Sequence, residues 1–425
     1  MKILILNQAF YPDVVATGQH ASDLAAGLAE AGHEVHVICS ARGYDNPGVR
    51  FPKRERWRGV NIWRVATTGL GKGARWRRAV DFASFMLACS WRALLVSQPD
   101  VIVAMTSPPL ISFLGALLSR LNNAQMVYWT MDLNPDEAIA TGWLREDSLT
   151  CKALSYLQLQ SLRRAQRIVV LDRFMKDRIL QKGIAAEKIT VIAPWSHDDS
   201  VRFDEAGRER FRAEHGLSGK FVVMYAGNHS PCHPLDTLLG AAQQLASGAP
   251  STPAVGALGC KREDIVFCFV GGGSEFHKVQ KFAAARRLGN IVCLPYVSRE
   301  KLAGTLSAAD LHVVVMGDAF TGIVHPCKVY NIVAVGAPFL YIGPPASHVT
   351  DLLAALNISR DSAYVCGHGE VDGVVEHILA AAQSDRHLRS NYRSLPFSRD
   401  VLLPAMIAAA TNAGGRHSRR QTGSR

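Results

Sequence analysis

The chain has 425 residues, 48% of them hydrophobic and 20% charged, with a formal net charge of +11. This composition excludes a disordered polypeptide, and the length suits two domains of roughly 200 residues better than one core. No uncharged apolar run reaches about 18 residues, which argues against a spanning helix, and the nine scattered cysteines contain no C-x-x-C pair, which argues against a disulfide framework or zinc site.

The N-terminus, MKILILNQAFYPD, reads as a first β-strand, not as a signal peptide. The pattern then predicts strands at 2–6, 34–39, 60–65, 101–105, 125–130, 167–171 and 189–193. Helices fall at 18–31, 79–96, 110–121, 148–165 and 173–181. The alternation breaks at Ala193-Pro194-Trp195-Ser196, and a polar stretch follows through Arg212. A second series has strands at 220–226, 264–270, 291–294, 310–316, 338–342 and 363–365. Its helices are expected at 235–246, 275–287, 299–308, 327–335 and 349–356. Residues 248–259 read as a mobile insertion rich in Ala, Gly and Pro. A last helix at 401–413 follows Pro396, and the tail is expected to be disordered.

Two runs of alternating strands and helices mean two doubly wound parallel sheets, an α/β fold of two Rossmann-like domains with a cleft between them. The boundaries are drawn at 1–195 and 196–395. A C-terminal helix at 396–412 is able to return to the N-domain, and the tail is 413–425. Neither first-strand loop matches G-x-G-x-x-G, which disfavours a nicotinamide dinucleotide.

Charge is concentrated between Arg42 and Arg92, where twelve Lys/Arg face three Asp/Glu with tryptophans and phenylalanines interleaved. Such a patch suits an anionic membrane or a nucleic acid. The apolar stretch 79–96 directly after Arg75-Trp76-Arg77-Arg78 favours a peripheral membrane contact through 50–96. The competing reading is a core helix with a solvated basic flank.

Segment 322–338, GIVHPCKVYNIVAVGAP, is the most informative. It follows a buried strand, with Pro326 suited to a helix start, Gly336 to its end and Pro338 beyond it. Lys328 and Asn331 share one helical face. At the carboxyl edge of a parallel strand, a cation and an amide can hold a diphosphate and a ribose hydroxyl. The alternative is a solvated lysine and a surface amide. Gly271-Gly272-Gly273 stand in a strand-to-helix loop where backbone can approach a ligand, although a tight turn would use the same glycines.

Taken together, these blocks resemble the family 4 glycosyltransferases of the GT-B fold, in particular the bacterial colanic-acid and O-antigen branch. The resemblance rests on ILILNQAFYPDVVATGQHASDLAAGLAEAGHEVHVI, DLNPDEA, FVVMYAGN, FCFVGGGSE, NIVCLPYVSREKL and PCKVYNIVAVGAP, spanning about 2–343. Family 4 enzymes usually carry two glutamates eight positions apart in the donor loop and its helix. Ile323 and Asn331 occupy those places. The usual arginine and lysine after the first C-domain strand are replaced by the neighbourhood of Asn228, His229 and His233.

The resemblance implies a glycosyltransferase that moves a sugar from a nucleotide-diphosphate donor, held by the C-domain, to a lipid-linked glycan acceptor on the N-domain. It implies retention of configuration, no metal and no cofactor, in a cytoplasmic protein peripheral to the inner face of the plasma membrane. Lys328 and Asp132 are then the catalytic candidates. Gly18, Asn228, Gly271, Gly272, Gly273, Tyr296, Gly322, His325 and Asn331 are the donor-binding ones, and His20 is a weaker possibility. Asp132 instead caps a turn before Pro135 on the competing reading. A GT-B epimerase and a non-catalytic GT-B partner are the alternatives, the latter prompted by the absent glutamates. Nucleic-acid binding is the most distant, since no recognised module is present.

Overall fold

Continuous Val/Ile-rich runs bury both faces of a strand, and such strands build parallel sheets covered by helices. The computed structural model describes residues 1–13, 15–44, 46–71, 75–96, 98–196, 201–248, 261–358, 363–384 and 396–412. The expected insertion, apart from Gly248, and the expected disordered tail lie outside these residues. The chain divides into two compact units. The first holds 1–194, Gly322–His325 and the chain from Asp400 on, and the second holds Trp195–Thr321 and Pro326–Arg399.

The first unit runs β1 (Lys2–Leu6), α1 (Ala16–Glu30), β2 (Glu34–Ser40), β3 (Arg54–Trp57), β4 (Val60–Val65), α2 (Arg75–Leu94), β5 (Val101–Ala104) and α3 (Ile111–Leu121). It continues through β6 (Gln125–Trp129), α4 (Asp136–Ala140), α5 (Leu149–Arg164), β7 (Arg167–Val170), α6 (Arg173–Gln181) and β8 (Ile189–Val191). The sheet order is β3-β4-β2-β1-β5-β6-β7-β8. All pairs are parallel except β3–β4, an antiparallel hairpin around Arg58-Gly59. β3 was not expected: RERW is a charged edge strand with no buried run, and charge is how natural edges resist further pairing. Helices α2 and α3 share one core with the sheet, in which Phe85, Cys89, Leu114 and Leu118 meet Leu4, Ile38 and Ile102.

The second unit contains α7 (Glu205–Glu214), β9 (Phe221–Asn228), α8 (Asp236–Ser247), β10 (Ile265–Gly272), α9 (Phe276–Arg286), β11 (Ile291–Leu294) and α10 (Arg299–Ser307). Then come β12 (Leu311–Val315), α11 (Lys328–Ala334), β13 (Phe339–Ile342), α12 (His348–Ala355), β14 (Ala363–Cys366) and α13 (Val371–Gln383). The order β11-β10-β9-β12-β13-β14 is parallel throughout. Alternate residues serve opposite faces, as a period of two requires: Phe221, Val223 and Tyr225 enter one core, Val222 and Met224 the other.

The polar stretch before β9 is in fact helix α7. Asp204 caps it by accepting from the Gly207 N–H, and Arg208 and Arg212 bind Asp310 at 2.6 and 2.5 Å. The last helix, α14 (Arg399–Thr411), belongs to the first unit from Asp400 on, where Leu403 and Ile407 lie against Gly27 of α1.

Candidate functional site

In doubly wound sheets, ligands bind beyond the carboxyl ends of the strands where the strand order reverses direction. In the second unit that point lies at β9, flanked by β10 on one side and β12 on the other. Beyond it the chain places β9's last residues, the β10 glycines and the first residue of α11 together.

Lys328 is the centre of this site. Its Nζ lies 3.5 Å from the centroid of the Tyr225 ring, and its stem crosses Gly227, where an added Cβ would fall 3.3 Å from Cε. The residue keeps some exposure, but Nζ is buried and has no hydrogen-bond partner among the described residues. The aromatic face offsets part of the desolvation of the cation. Burial still pulls the Lys328 pKa down to about 7.

Two histidines complete the surroundings. His229 is fully buried; its Nδ1 lies 3.0 Å from the Gly227 carbonyl and its ring packs edge-on to Tyr225 and Phe276. Its Nε2 and the Nδ1 of His233 are buried without hydrogen-bond partners among the described residues. Burial first, and the Lys328 charge second, lower His229 to about 4 and His233 to about 3. Both are therefore neutral at pH 7. Tyr225 stays protonated, because burial raises its pKa well above the ordinary value, and its hydroxyl donates to the Asn228 carbonyl at 2.8 Å.

The glycines have a geometric reason. Gly271 and Gly273 have φ of 136° and 122°, and a Cβ would fall 2.1 Å from the Gly227 oxygen or 2.3 Å from Asn228 Oδ1 and the His229 oxygen. Only glycine lets the β10 loop lie this close to the end of β9. Gly272 lies under the half-exposed ring of Tyr296, whose hydroxyl is 3.4 Å from the Gly272 carbonyl. Asn331, one turn after Lys328, is half-buried.

The helix expected at 327–335 is shorter than that. Helix α11 has only seven residues, and its N-cap, Cys327, makes no side-chain cap bond. Two turns align few peptide dipoles, and Lys328 is the basic side chain at the start of this helix.

Gly322 and His325 fall in the first unit in the division of the chain. Gly322 packs on the Phe174 backbone, and the Ile323 carbonyl accepts from the Leu133 N–H at 2.9 Å. His325 Nδ1 lies 2.7 Å from Asp172 Oδ2, while Asp172 Oδ1 caps α6 by accepting from the Met175 N–H. Asp172 was not anticipated, although Leu171-Asp172-Arg173 at a strand-to-helix junction is a readable N-cap signal. Tyr225 and its face-on relation to Lys328 were also missed, because the two residues are about a hundred positions apart.

Asp132 follows β6 in the first unit. Burial, with Glu137 nearby as a second cause, raises its carboxyl above the ordinary range. Gly18 packs against the backbone of Ala9 and Phe10, and His20 is buried beside Trp129. A small concavity of this unit is lined by Gln8, Ser40, Arg42, Thr67, Arg78 and Asp81.

The chain is similar to several known proteins. Residues 16–195 match the glycosyl transferase 4-like domain model. The putative colanic acid biosynthesis glycosyl transferase WcaI of Escherichia coli K12 is 25% identical over 352 residues, covering 79% of this chain and 82% of that protein. Among solved structures, sucrose-phosphate synthase from Thermosynechococcus elongatus aligns with a TM-score of 0.71 at 15% identity, covering 96% of this chain and 97% of the other. Anabaena HepE in complex with UDP-glucose aligns with a TM-score of 0.64 at 14% identity, covering 97% and 96%. Residues 16–195 thus carry a glycosyl transferase 4-like domain, and the chain has the GT-B fold of these glycosyltransferases.

Proposed function

We infer that the enzyme transfers a sugar from a nucleoside-diphosphate donor to a lipid-linked glycan in cell-surface polysaccharide assembly, with retention and without a metal. The observation that carries the donor half is Lys328 Nζ, buried over the Tyr225 ring with no hydrogen-bond partner among the described residues, next to glycines that let β10 lie close to the end of β9. An unpaired buried cation is unfavourable until an anion arrives, and a diphosphate is such an anion. WcaI is named for colanic acid biosynthesis and HepE was solved with UDP-glucose, which supports both halves of the reading.

In the reaction, the bond from the anomeric carbon to the diphosphate oxygen breaks, and its electron pair leaves with the diphosphate. The acceptor oxygen bonds to the same face of that carbon, and its proton passes to the departing phosphate oxygen. Negative charge grows on the diphosphate as the bond stretches, and Lys328 stabilises it in a site shielded from water. Asn228 and Asn331 supply polar contacts to the donor, and Tyr296 flanks the base. Asp132 and the Arg42/Arg78 concavity serve the acceptor side.

The test is binding of a nucleoside-diphosphate panel, followed by turnover of the matching sugar donor on lipid-extract acceptors. Lys328→Ala should slow turnover through a barrier increase of about 2–4 kcal/mol while leaving the fold intact. Wild-type turnover by the folded variant would refute the assignment.

A further inference from the structure

Helix α2 is apolar on two faces. Phe85, Cys89 and Ala93 enter the core, yet Leu87, Trp91 and Leu94 on another face are 74%, 71% and 61% exposed. The exposed set recurs at helical spacing, and no core residue needs it. The adjoining α3 repeats the pattern with Leu117 and Leu121, and α5, packed against α3, adds Tyr156. Arg164 of α5 donates to Ser119 of α3 at 2.9 Å, which holds the two helices side by side. Scattered exposed apolar residues are ordinary, but a helical stripe continued onto neighbouring helices marks a contact surface.

Charge identifies the occupant. Helices α2, α3 and α5 contain eight Arg/Lys and a single acid, Asp81. Asp81 is consumed locally, accepting from the Thr68 hydroxyl and the Leu70 and Gly71 N–H groups. The basic Arg77, Arg120, Lys152 and Arg163 are exposed. Arginine and lysine with tryptophan and leucine, on a surface of helices, fit the headgroup and acyl boundary of an anionic bilayer. No described helix is long and apolar enough to cross a membrane, so the contact lies in the interface plane.

We propose that the outward face of α2, α3 and α5 docks on an anionic phospholipid bilayer. This deepens the lipid-linked-acceptor reading and rests on it for its purpose. It also narrows the contact expected for 50–96 to α2 and extends it to α3 and α5. Trp57 stacks on Tyr11 at 4.3 Å, and Trp63 lies between Arg54 and Arg92 at 4.6 and 3.5 Å, so both are engaged within the protein. Helix α2 links the two tasks, since Arg78 and Phe82 line the concavity while Leu87 to Leu94 carry the exposed stripe.

The experiment is co-sedimentation of the full chain with phosphatidylglycerol/phosphatidylethanolamine vesicles and with phosphatidylcholine vesicles. The native protein should pellet with the anionic set. Arg77→Glu/Arg120→Glu should lower partitioning at least thirtyfold, as each basic residue contributes about fivefold. Leu117→Ser/Leu121→Ser, with α2 untouched, should lower it about tenfold. Lipids brominated in the acyl chains should quench native fluorescence, and Trp91→Phe should remove a share of that quenching. Nucleoside-diphosphate binding, measured in parallel, should be unchanged in all variants. Loss of that binding in the native protein would instead count against the donor reading. The proposal is overturned if native protein stays in the supernatant, if the variants pellet equally, or if the serine pair converts a dimer to a monomer with lipid binding intact.

Discussion

If Lys328 meets the donor's diphosphate, donor binding must take up protons. With a pKa of about 7, Lys328 is about one-quarter protonated in the free site at pH 7.5. Beside a bound diphosphate the ammonium form is favoured, and the pKa returns towards its ordinary value above 10. Binding at pH 7.5 therefore takes up about 0.75 proton from solution. His229 and His233 start neutral; any proton that either accepts adds to this number. Tyr225 stays protonated, and Cys232 and Tyr296 are its other titratable neighbours. The terminal phosphate ionises near pH 6, so above pH 7 it contributes little change. Because protons are absorbed, affinity falls as pH rises, by about fivefold from pH 7 to 8 and about eightfold from 8 to 9. Titration calorimetry with UDP and GDP in HEPES and in Tris measures the uptake directly, since the buffers give up protons with different enthalpies. Lys328→Met should bind more weakly, with an enthalpy independent of buffer. Tight binding by the native protein with equal enthalpies in both buffers, or with constant affinity from pH 7 to 9, would refute the reasoning.

Lys328 governs two further outcomes and Asp132 a third. Lys328→Met should raise the unfolding midpoint at pH 7 by on the order of 5 °C. The lowered pKa means that the unfolded chain holds the proton more firmly, so native stability rises from about pH 7 towards 10.5 and the gap to the variant closes; a gap constant with pH would contradict this in thermal scans. Turnover should persist in EDTA, because Lys328 supplies positive charge where the diphosphate develops its own; loss of activity in EDTA with recovery in magnesium would remove that explanation. Asp132, raised by burial and by Glu137, should give the rate profile an acid limb above the ordinary carboxylate range, absent in Asp132→Asn; superposable profiles would separate Asp132 from the reaction.

The two sheets were legible because their strands are buried on both faces. Runs such as Phe221–Asn228 and Ile265–Gly272 are continuous apolar segments ending in glycine or asparagine, and periodicity places them within two residues. What escaped was held by other forces. Strand β3 is charged because it is an edge, and α7 is fixed by the Arg208 and Arg212 ion pairs to Asp310, about a hundred residues away. Apolar period carries no record of such a pairing. Helix α13, absent from the expected elements, does carry an apolar face at helical spacing in Val374, Val375, Ile378 and Leu379.

Lys328 and the glycines of β10 show what kind of fact a sequence can and cannot hold. Lys328 and the three glycines stand out locally, since a strand-to-helix junction confines what such residues do. Their meaning depends on β9, which arrives beside them only through the sheet order. Gly271 and Gly273 are glycines because the end of β9 occupies the space of their Cβ atoms, and that same approach brings the His229 backbone against the β10 loop. Where the resemblance leads one to expect basic residues, the end of β9 has neutral histidines around one buried lysine. A site built this way holds little charge until a diphosphate enters. Its affinity should therefore follow pH more steeply than that of a site built on arginine, whose charge is fixed throughout this range. A shallow pH dependence of donor binding would show that other residues carry the diphosphate and that the His229/His233 substitution has been compensated elsewhere.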